Sequence, residues 1–306
     1  MNAQINLDAN QTAYFGRQLE AIKNQTYDIK QGMLKAVELF PIDSTTPDYA
    51  ETQVYYQYDA RGLAKIISDY ATDVPSVEIA GRQFVSKIET IGLSYSYSIM
   101  DIKKAAIQGT PLTVRKALAT QRGVMARHNQ LFWVGDTVAG IVGVLTNASV
   151  PNAQVTADGT GSSALWSTKT PTQILRDLVQ GVTEIKALTR GVESPNLLVL
   201  SEGRLNVIRG TRMSPDSPDS ILVAFNNMFP EIRVEGAEEL TGAFQGGTEG
   251  FLLGRNESTH IELVAPIVYE ETAPEQKNLS FSVNAIGRNG GAVIYYPLAF
   301  SKKYGI

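Results

Sequence analysis

Thr110-Pro111 opens a stretch that reads as one long helix: threonine can cap, proline suits the first helical position, and no further proline occurs until Pro151. The pattern predicts a helix from Pro111 to about Val134. Val114, Leu118, Gln121, Met125, His128 and Phe132 fall within about 80° of one another at 100° per residue, with Ala117, Val124 and Leu131 beside them. At about 1.5 Å per residue such a helix is on the order of 36 Å long, so it has to run the length of a domain. A chain of 306 residues, 43% apolar and 19% charged, is long enough for two compact units and can bury a real core.

Ahead of this helix the pattern is β. Val54, Tyr56 and Tyr58 alternate with Tyr55 and Gln57, a mixed stretch runs from Arg61 to Pro75, and Val77, Ile79 and Ala80-Gly81 begin a return, which together predict a long hairpin. The return continues with Leu93, Tyr95, Tyr97 and Ile99 alternating with Ser94, Ser96 and Ser98, so one face is apolar and the other carries small hydroxyls. Residues 1 to 50 read as an arm. Phe15, Leu19 and Ile22 share one face of a short helix, and Gly32, Pro41 and Pro47 punctuate the segments after it. Isolated helices need roughly 12 to 15 residues to persist in water, so this stripe requires a body or a neighbouring subunit to lie on.

Beyond the long helix, residues 135 to 163 are rich in Gly, Thr, Asn, Ala and Ser and form a connection. Thr170-Pro171 repeats the cap-and-proline start. Ile174, Leu175, Leu178, Val179, Val182, Ile185 and Leu188 then make the strongest amphipathic helix of the sequence, closed by Gly191. Leu197 to Leu200 reads as a buried strand and Pro218 to Phe229 as a further helix, so this half has α/β character. Strands return at Thr259 to Tyr269, at Leu279, Phe281, Val283 and Ala285, and at Ala292 to Tyr296, with Asn289-Gly290 expected as the turn between the last two. No internal repeat is present.

Little in the sequence points to catalysis. Cysteine is absent, which removes disulfides, thiolate metal sites and cysteine nucleophiles and suits a reducing compartment. The two histidines, His128 and His260, lie in no metal-ligand spacing, and His128 at the edge of the apolar stripe reads as a satisfied core histidine. There is no nucleophile elbow and no phosphate-binding loop. Asp158-Gly159-Thr160-Gly161 reads as a turn, and Asp216 and Asp219 as solvated loop acids. No cofactor or metal is implied. The start of the chain lacks the basic and apolar regions of a signal peptide, and no run approaches the roughly 18 apolar residues of a membrane span, so export and membrane contact are not expected and glycosylation-like triplets such as those at Asn24 and Asn147 are read as chance.

A net charge of −4 gives no global basic field, so any contact with nucleic acid has to be local. From Asp101 to Gly135 six cations face one acid, a local excess of five positive charges. Arg115 and Arg122 share one line of the long helix, and Lys116 and Arg127 a second, both off the apolar stripe. A solvated helix face is the plainer reading of these four, and contact with nucleic acid the sharper one.

The order of parts, with Tyr14-Phe15-Gly16-Arg17-Gln18-Leu19-Glu20, Ile91-Gly92-Leu93-Ser94-Tyr95-Ser96-Tyr97-Ser98, Phe132-Trp133-Val134-Gly135-Asp136 and the closing Ala292 to Phe300, resembles the major capsid proteins of tailed bacteriophages of the Hong Kong 97 type. The resemblance covers nearly the whole chain. It implies an α+β fold of that type, with an N-arm (1–50), an E-loop hairpin with flanking strands (51–94), a P-domain with a long spine helix (95–145), an α/β A-domain (146–258) and return strands of the P-domain (259–306). It implies a non-enzymatic protein that self-assembles, as pentamers and hexamers, into the icosahedral head shell around a double-stranded DNA genome. Assembly would take place in the host bacterial cytoplasm, with portal, scaffolding or decoration proteins as partners. The candidate subunit-interface residues are Tyr14, Phe15, Arg17, Leu19, Tyr56, Tyr58 and Lys65; the candidate genome-facing residues are Arg115, Lys116, Arg122 and Arg127. Some relatives carry a long N-terminal scaffolding extension; this sequence begins almost directly with the arm, so scaffolding is expected to be separate or unnecessary. Others weld subunits through a lysine-to-asparagine bond, for which Lys65 with Asn284 or Asn289 are the loosely placed candidates; no matching acid is evident, and no cross-link is expected. A protein-storing encapsulin shell has the same fold and is the nearest alternative, and a soluble enzyme with an unrecognised site is the alternative from a different class.

Overall fold

The computed structural model describes residues 34–43, 45–61, 76–108 and 112–306, all within one unit, Leu34–Ile306. The four residues of strand Leu197–Leu200 are all buried, as an uninterrupted apolar run requires when both faces of a sheet are covered. The strand lies in a five-stranded sheet with the order Asn152–Gln154, Phe300–Tyr304, Gly250–Gly254, Leu197–Leu200, Arg233–Gly236. Alternation divides it between two cores. Leu198, Leu200, Phe251 and Leu253 join the cluster that contains Leu178, Val182 and Ile185 of helix Pro171–Leu188, whereas Leu197, Val199, Leu252 and Phe300 join the one that contains Trp133 and Leu263.

Helix Pro171–Leu188 starts as the sequence predicts. Thr170 and Gln173 form a reciprocal capping box, and Gly191, at φ +79°, donates its N–H to the Lys186 carbonyl at 2.7 Å. The helix expected from Pro218 begins later, at Ile221–Met228, because the Ser220 hydroxyl accepts from the Val223 N–H and sets the cap there. Helix Glu202–Gly210, not among the elements expected from sequence, is capped by Ser201 and buries Leu205 and Ile208.

The long helix spans Leu112–Trp133. Its C-terminal half is buried through Val124, His128, Leu131, Phe132 and Trp133, but Val114, Leu118 and Gln121 of the predicted stripe are exposed. Among the described side chains, no apolar one before Val124 on the helix belongs to a core cluster, and periodicity cannot see where a core ends. The helix packs on the ladder of Glu89–Ser98 with Ser280–Asn289, ten consecutive antiparallel pairs from Asn289 opposite Glu89 to Ser280 opposite Ser98. Ile267–Glu271 and Glu275–Lys277 flank the other side of Ser280–Asn289. Gly287 lets the helix come close: a Cβ there would lie 2.5 Å from His128 Nε2.

Four expectations about chain path need correction. The strand expected over Thr259 to Tyr269 is two, Ile261–Val264 and Ile267–Glu271, in different sheets, since Pro266 between them cannot donate to a ladder. Asn289-Gly290 is not a hairpin turn: Ser280–Asn289 and Gly291–Ile294 belong to different sheets, and the left-handed residue is Gly291, at φ +76°. Phe300–Tyr304, grouped by sequence with the return strands, pairs with Gly250–Gly254 and Asn152–Gln154 instead. Its polar appearance hid it, for Lys302 and Lys303 are buried and reach the Leu145 and Asn147 carbonyls and Glu184. Finally, the last part of the expected arm is body. Ala36, Leu39 and Phe40 are core residues, and Ile42–Asp43 pairs in parallel with Ile261–Val264.

Candidate assembly surface

Thr52–Arg61 and Glu78–Lys87 pair antiparallel through ten positions, from Thr52 opposite Lys87 to Arg61 opposite Glu78, with no third strand in their sheet among the described residues. A two-stranded ribbon is marginal on its own and persists only where something holds it. At its base Tyr55 stacks on Phe84 at 5.0 Å between ring centroids and meets Tyr295 edge-on at 4.9 Å. Burial raises the Tyr55 hydroxyl above its ordinary pKa. The Tyr295 hydroxyl is raised too, by burial first and then by its 2.8 Å hydrogen bond to Glu262. Ser86 Oγ donates to the Gly290 carbonyl at 2.9 Å and ties the second strand down.

Away from the base one face of the ribbon is apolar and uncovered. The register puts Val54 opposite Val85, Tyr56 opposite Gln83, Tyr58 opposite Gly81 and Ala60 opposite Ile79, so Val54, Tyr56, Tyr58, Ile79 and Val85 share that face. Tyr56 and Tyr58 are 60% and 70% exposed, Ile79 68% and Val85 60%. The two tyrosine rings lie 6.4 Å apart and nearly parallel, beside a cleft of about 360 Å³ bordered by Thr259 and Tyr296. A contiguous apolar face of this kind marks a contact surface.

Tyr56 and Tyr58 are thus brought together, while Tyr14, Phe15, Arg17, Leu19 and Lys65 lie outside the described residues. Asn289, a cross-link candidate by sequence, is wholly buried and engaged with His128 and Gly291. Of the four helix cations, Lys116 donates to the Ser96 carbonyl at 2.8 Å, and Arg127 pairs with Asp136 at 2.5 Å and with Gln130 at 2.7 Å. Arg115 and Arg122 are half-buried. The Asp136 carboxyl is held below its usual range by the Ala139 N–H first, then by Arg127 and the Val138 N–H.

Sequence reasoning missed the hairpin clamp, although the alternation that placed Tyr56 outward also turns Tyr55 inward. It also missed a buried ionic cluster. Lys169 Nζ lies 2.6 Å from Asp177 Oδ2 and 2.6 Å from the Thr156 carbonyl, Trp166 Nε1 donates to the same Asp177 oxygen at 3.0 Å, and Asp158 joins Lys169 at 3.3 Å and pairs with Arg176. His260 bridges Thr259 at 2.8 Å and Glu193 at 3.0 Å, and Arg255 joins Glu193 at 3.2 Å. Among the described residues no cluster of histidine and carboxylate side chains is arranged to hold a metal, and no helix is long and apolar enough to cross a membrane.

With a five-stranded sheet, a spine helix across a second sheet and an exposed two-stranded ribbon in place, the comparisons with known proteins supply the class. Residues 62–306 match the family model described as major capsid protein. The chain belongs to that family and is a shell-forming capsid protein. The fold is similar to the capsid of Myoviridae phage XM1, with a TM-score of 0.81, 16% identity and 100% of both chains covered. It is also similar to a Mycobacterium phage Ogopogo structure (TM-score 0.61, 13% identity, 96% of this chain and 98% of that one) and to a virus-like particle from Pyrococcus furiosus (TM-score 0.54, 11% identity, 87% and 91%). The fold is therefore of the tailed-phage capsid type. No curated protein matches the chain by sequence.

Proposed function

We propose that this chain is the major subunit of a tailed-bacteriophage head, forming pentamers and hexamers that close around double-stranded DNA, without catalytic activity of its own. The uncovered hairpin face carries the reading: Val54, Tyr56, Tyr58, Ile79 and Val85 form an apolar strip that the folded body leaves bare and that copies of the chain would cover in a closed symmetric shell. The match to the major capsid protein family over residues 62–306, with a phage capsid similar over the full length of both chains, supports this reading. Portal, scaffolding or decoration proteins would meet the shell in the host cytoplasm. The basic side of the spine helix, Arg115, Lys116, Arg122 and Arg127, is the proposed genome face, with Lys116 and Arg127 also tied within the chain.

Replacing residues 62–81 with a short turn tests the hairpin's role. The remaining body should keep a cooperative thermal transition while particles disappear. Normal particles from the shortened chain would refute the assignment.

A further inference from the structure

His128, 1% exposed, faces the strand Ser280–Asn289 from the spine helix, and the wholly buried Asn289 meets it with Nδ2 2.7 Å from His128 Nδ1. The orientation of that amide is fixed from its other end. The Gly291 N–H, which can only donate, lies 2.6 Å from Asn289 Oδ1, so the group turned toward His128 is the NH₂. A donor in that position requires Nδ1 to accept, which pins the ring as neutral imidazole with its proton on Nε2. Nε2 sits against Gly287, and burial, the larger influence, disfavours the charged ring, while the Val268 backbone favours it.

Among the described residues no carboxylate is paired with the ring, and Glu89, opposite Asn289 in the ladder and so on the same face, is bonded to Lys87 instead. On the spine helix Arg127 is turned to Asp136 and Gln130, and Asn129 to Glu239 and the Ala36 N–H. On the central strand Arg288 reaches the Asp48 carbonyl. On Ile267–Glu271 both Glu270 and Glu271 are exposed, Glu271 bonded to the Tyr269 hydroxyl, and Gly291–Ile294 carries no charged residue.

We propose that the His128–Asn289 pair is an acid-operated latch between the spine helix and the corner Asn289–Gly291, closed while His128 is neutral and forced open when it takes a proton. A proton on Nδ1 would set an N–H against the Asn289 NH₂ and leave a buried charge without a counter-ion. Either Asn289 turns and releases the Gly291 N–H, or the ring leaves its site. The proposal rests on the fold of one chain and stands whether or not the shell holds DNA.

Burial pushes the His128 pKa down from 6.5 to about 4. A ring freed by opening regains its ordinary pKa, so the open state binds more protons throughout that window. The closed latch is fully favoured above pH 6.5, and its opening equilibrium rises about tenfold for each pH unit below that, levelling off near pH 4.

Native-state hydrogen exchange on the full chain, corrected for intrinsic rates, reads the opening directly. Amides of Gly287–Gly291 and of the C-terminal half of the spine helix should lose protection by about tenfold per pH unit below about 6.5, while those of the five-stranded sheet hold theirs. Asn289→Asp keeps the acceptor for Gly291 and offers a carboxylate to the imidazolium, so the acid loss should vanish. His128→Gln keeps an acceptor and cannot titrate, and its profile should be flat. Unchanged protection at the wild-type corner down to about pH 4.5, or a wild-type acid loss in either variant, would overturn the latch.

Discussion

Removing one member of the Lys169–Asp177 pair should cost far more than removing both. The two side chains are wholly buried, and Asp177 Oδ1 has no hydrogen-bond partner beyond the ion pair made by Oδ2. Asp177→Ala leaves a buried ammonium with the Thr156 carbonyl and the partly exposed Asp158 as its compensation. Lys169→Met leaves a buried carboxylate with the Trp166 N–H alone. Each single change is expected to cost about 3–5 kcal/mol, because the remaining charge stays desolvated. Lys169→Met with Asp177→Leu removes both charges and fills the space with apolar atoms beside Trp166 and Leu178, so it should stay within about 2 kcal/mol of the parent. The coupling between the two sites is then at least about 4 kcal/mol, a difference of roughly 10 °C in Tm between the double variant and the sum of the singles. Urea unfolding of the unassembled chain, with thermal melts beside it, measures all three variants. A double variant as unstable as the two singles added together would refute the reasoning and make each residue's cost a matter of packing.

Two further outcomes concern the surface. Arg115→Gln with Arg122→Gln should leave empty shells intact while lowering the DNA retained, more so at low salt, as quantified by nucleic-acid absorbance of purified particles; loss of shells altogether would place these arginines in subunit contacts instead. Tyr55→Ala should free the hairpin base from Phe84 and Tyr295 at a cost of about 1–3 kcal/mol confined to that region, seen as faster amide exchange across Glu78–Lys87 with the body's melting unchanged; a lowered melting point of the whole chain would show that the clamp belongs to the core.

Where a signal was local, the sequence announced the structure. Thr170-Pro171 marked a helix start to the residue, and the alternation of Tyr55 with Tyr56 set the two tyrosines on opposite faces of the ribbon, although only the body packed against it shows which one turns inward. Where the answer depended on what lies opposite, it did not. Val114 and Leu118 look as apolar as Val124, and only the extent of the core separates the exposed residues from the buried one. Ser301-Lys302-Lys303 reads as a polar surface strand, yet Phe300–Tyr304 lies between two other strands of a sheet because each lysine finds a carbonyl or carboxylate at the end of its stem. The Asn289-Gly290 pair carries the residues of a hairpin turn, but the strands on either side pair with distant partners, and sheet membership is a non-local property. The Lys169–Asp177 and His128–Asn289 pairs were equally hidden, the second across 161 residues of sequence.

Self-assembly is the central claim, and electron microscopy of the purified full chain, paired with sedimentation, tests it most directly. The bare hairpin face predicts pentamers, hexamers or closed shells of uniform size, with particle formation lost when residues 62–81 are replaced. A lone monomer at every protein concentration and salt condition, with no particles in the micrographs, would contradict it.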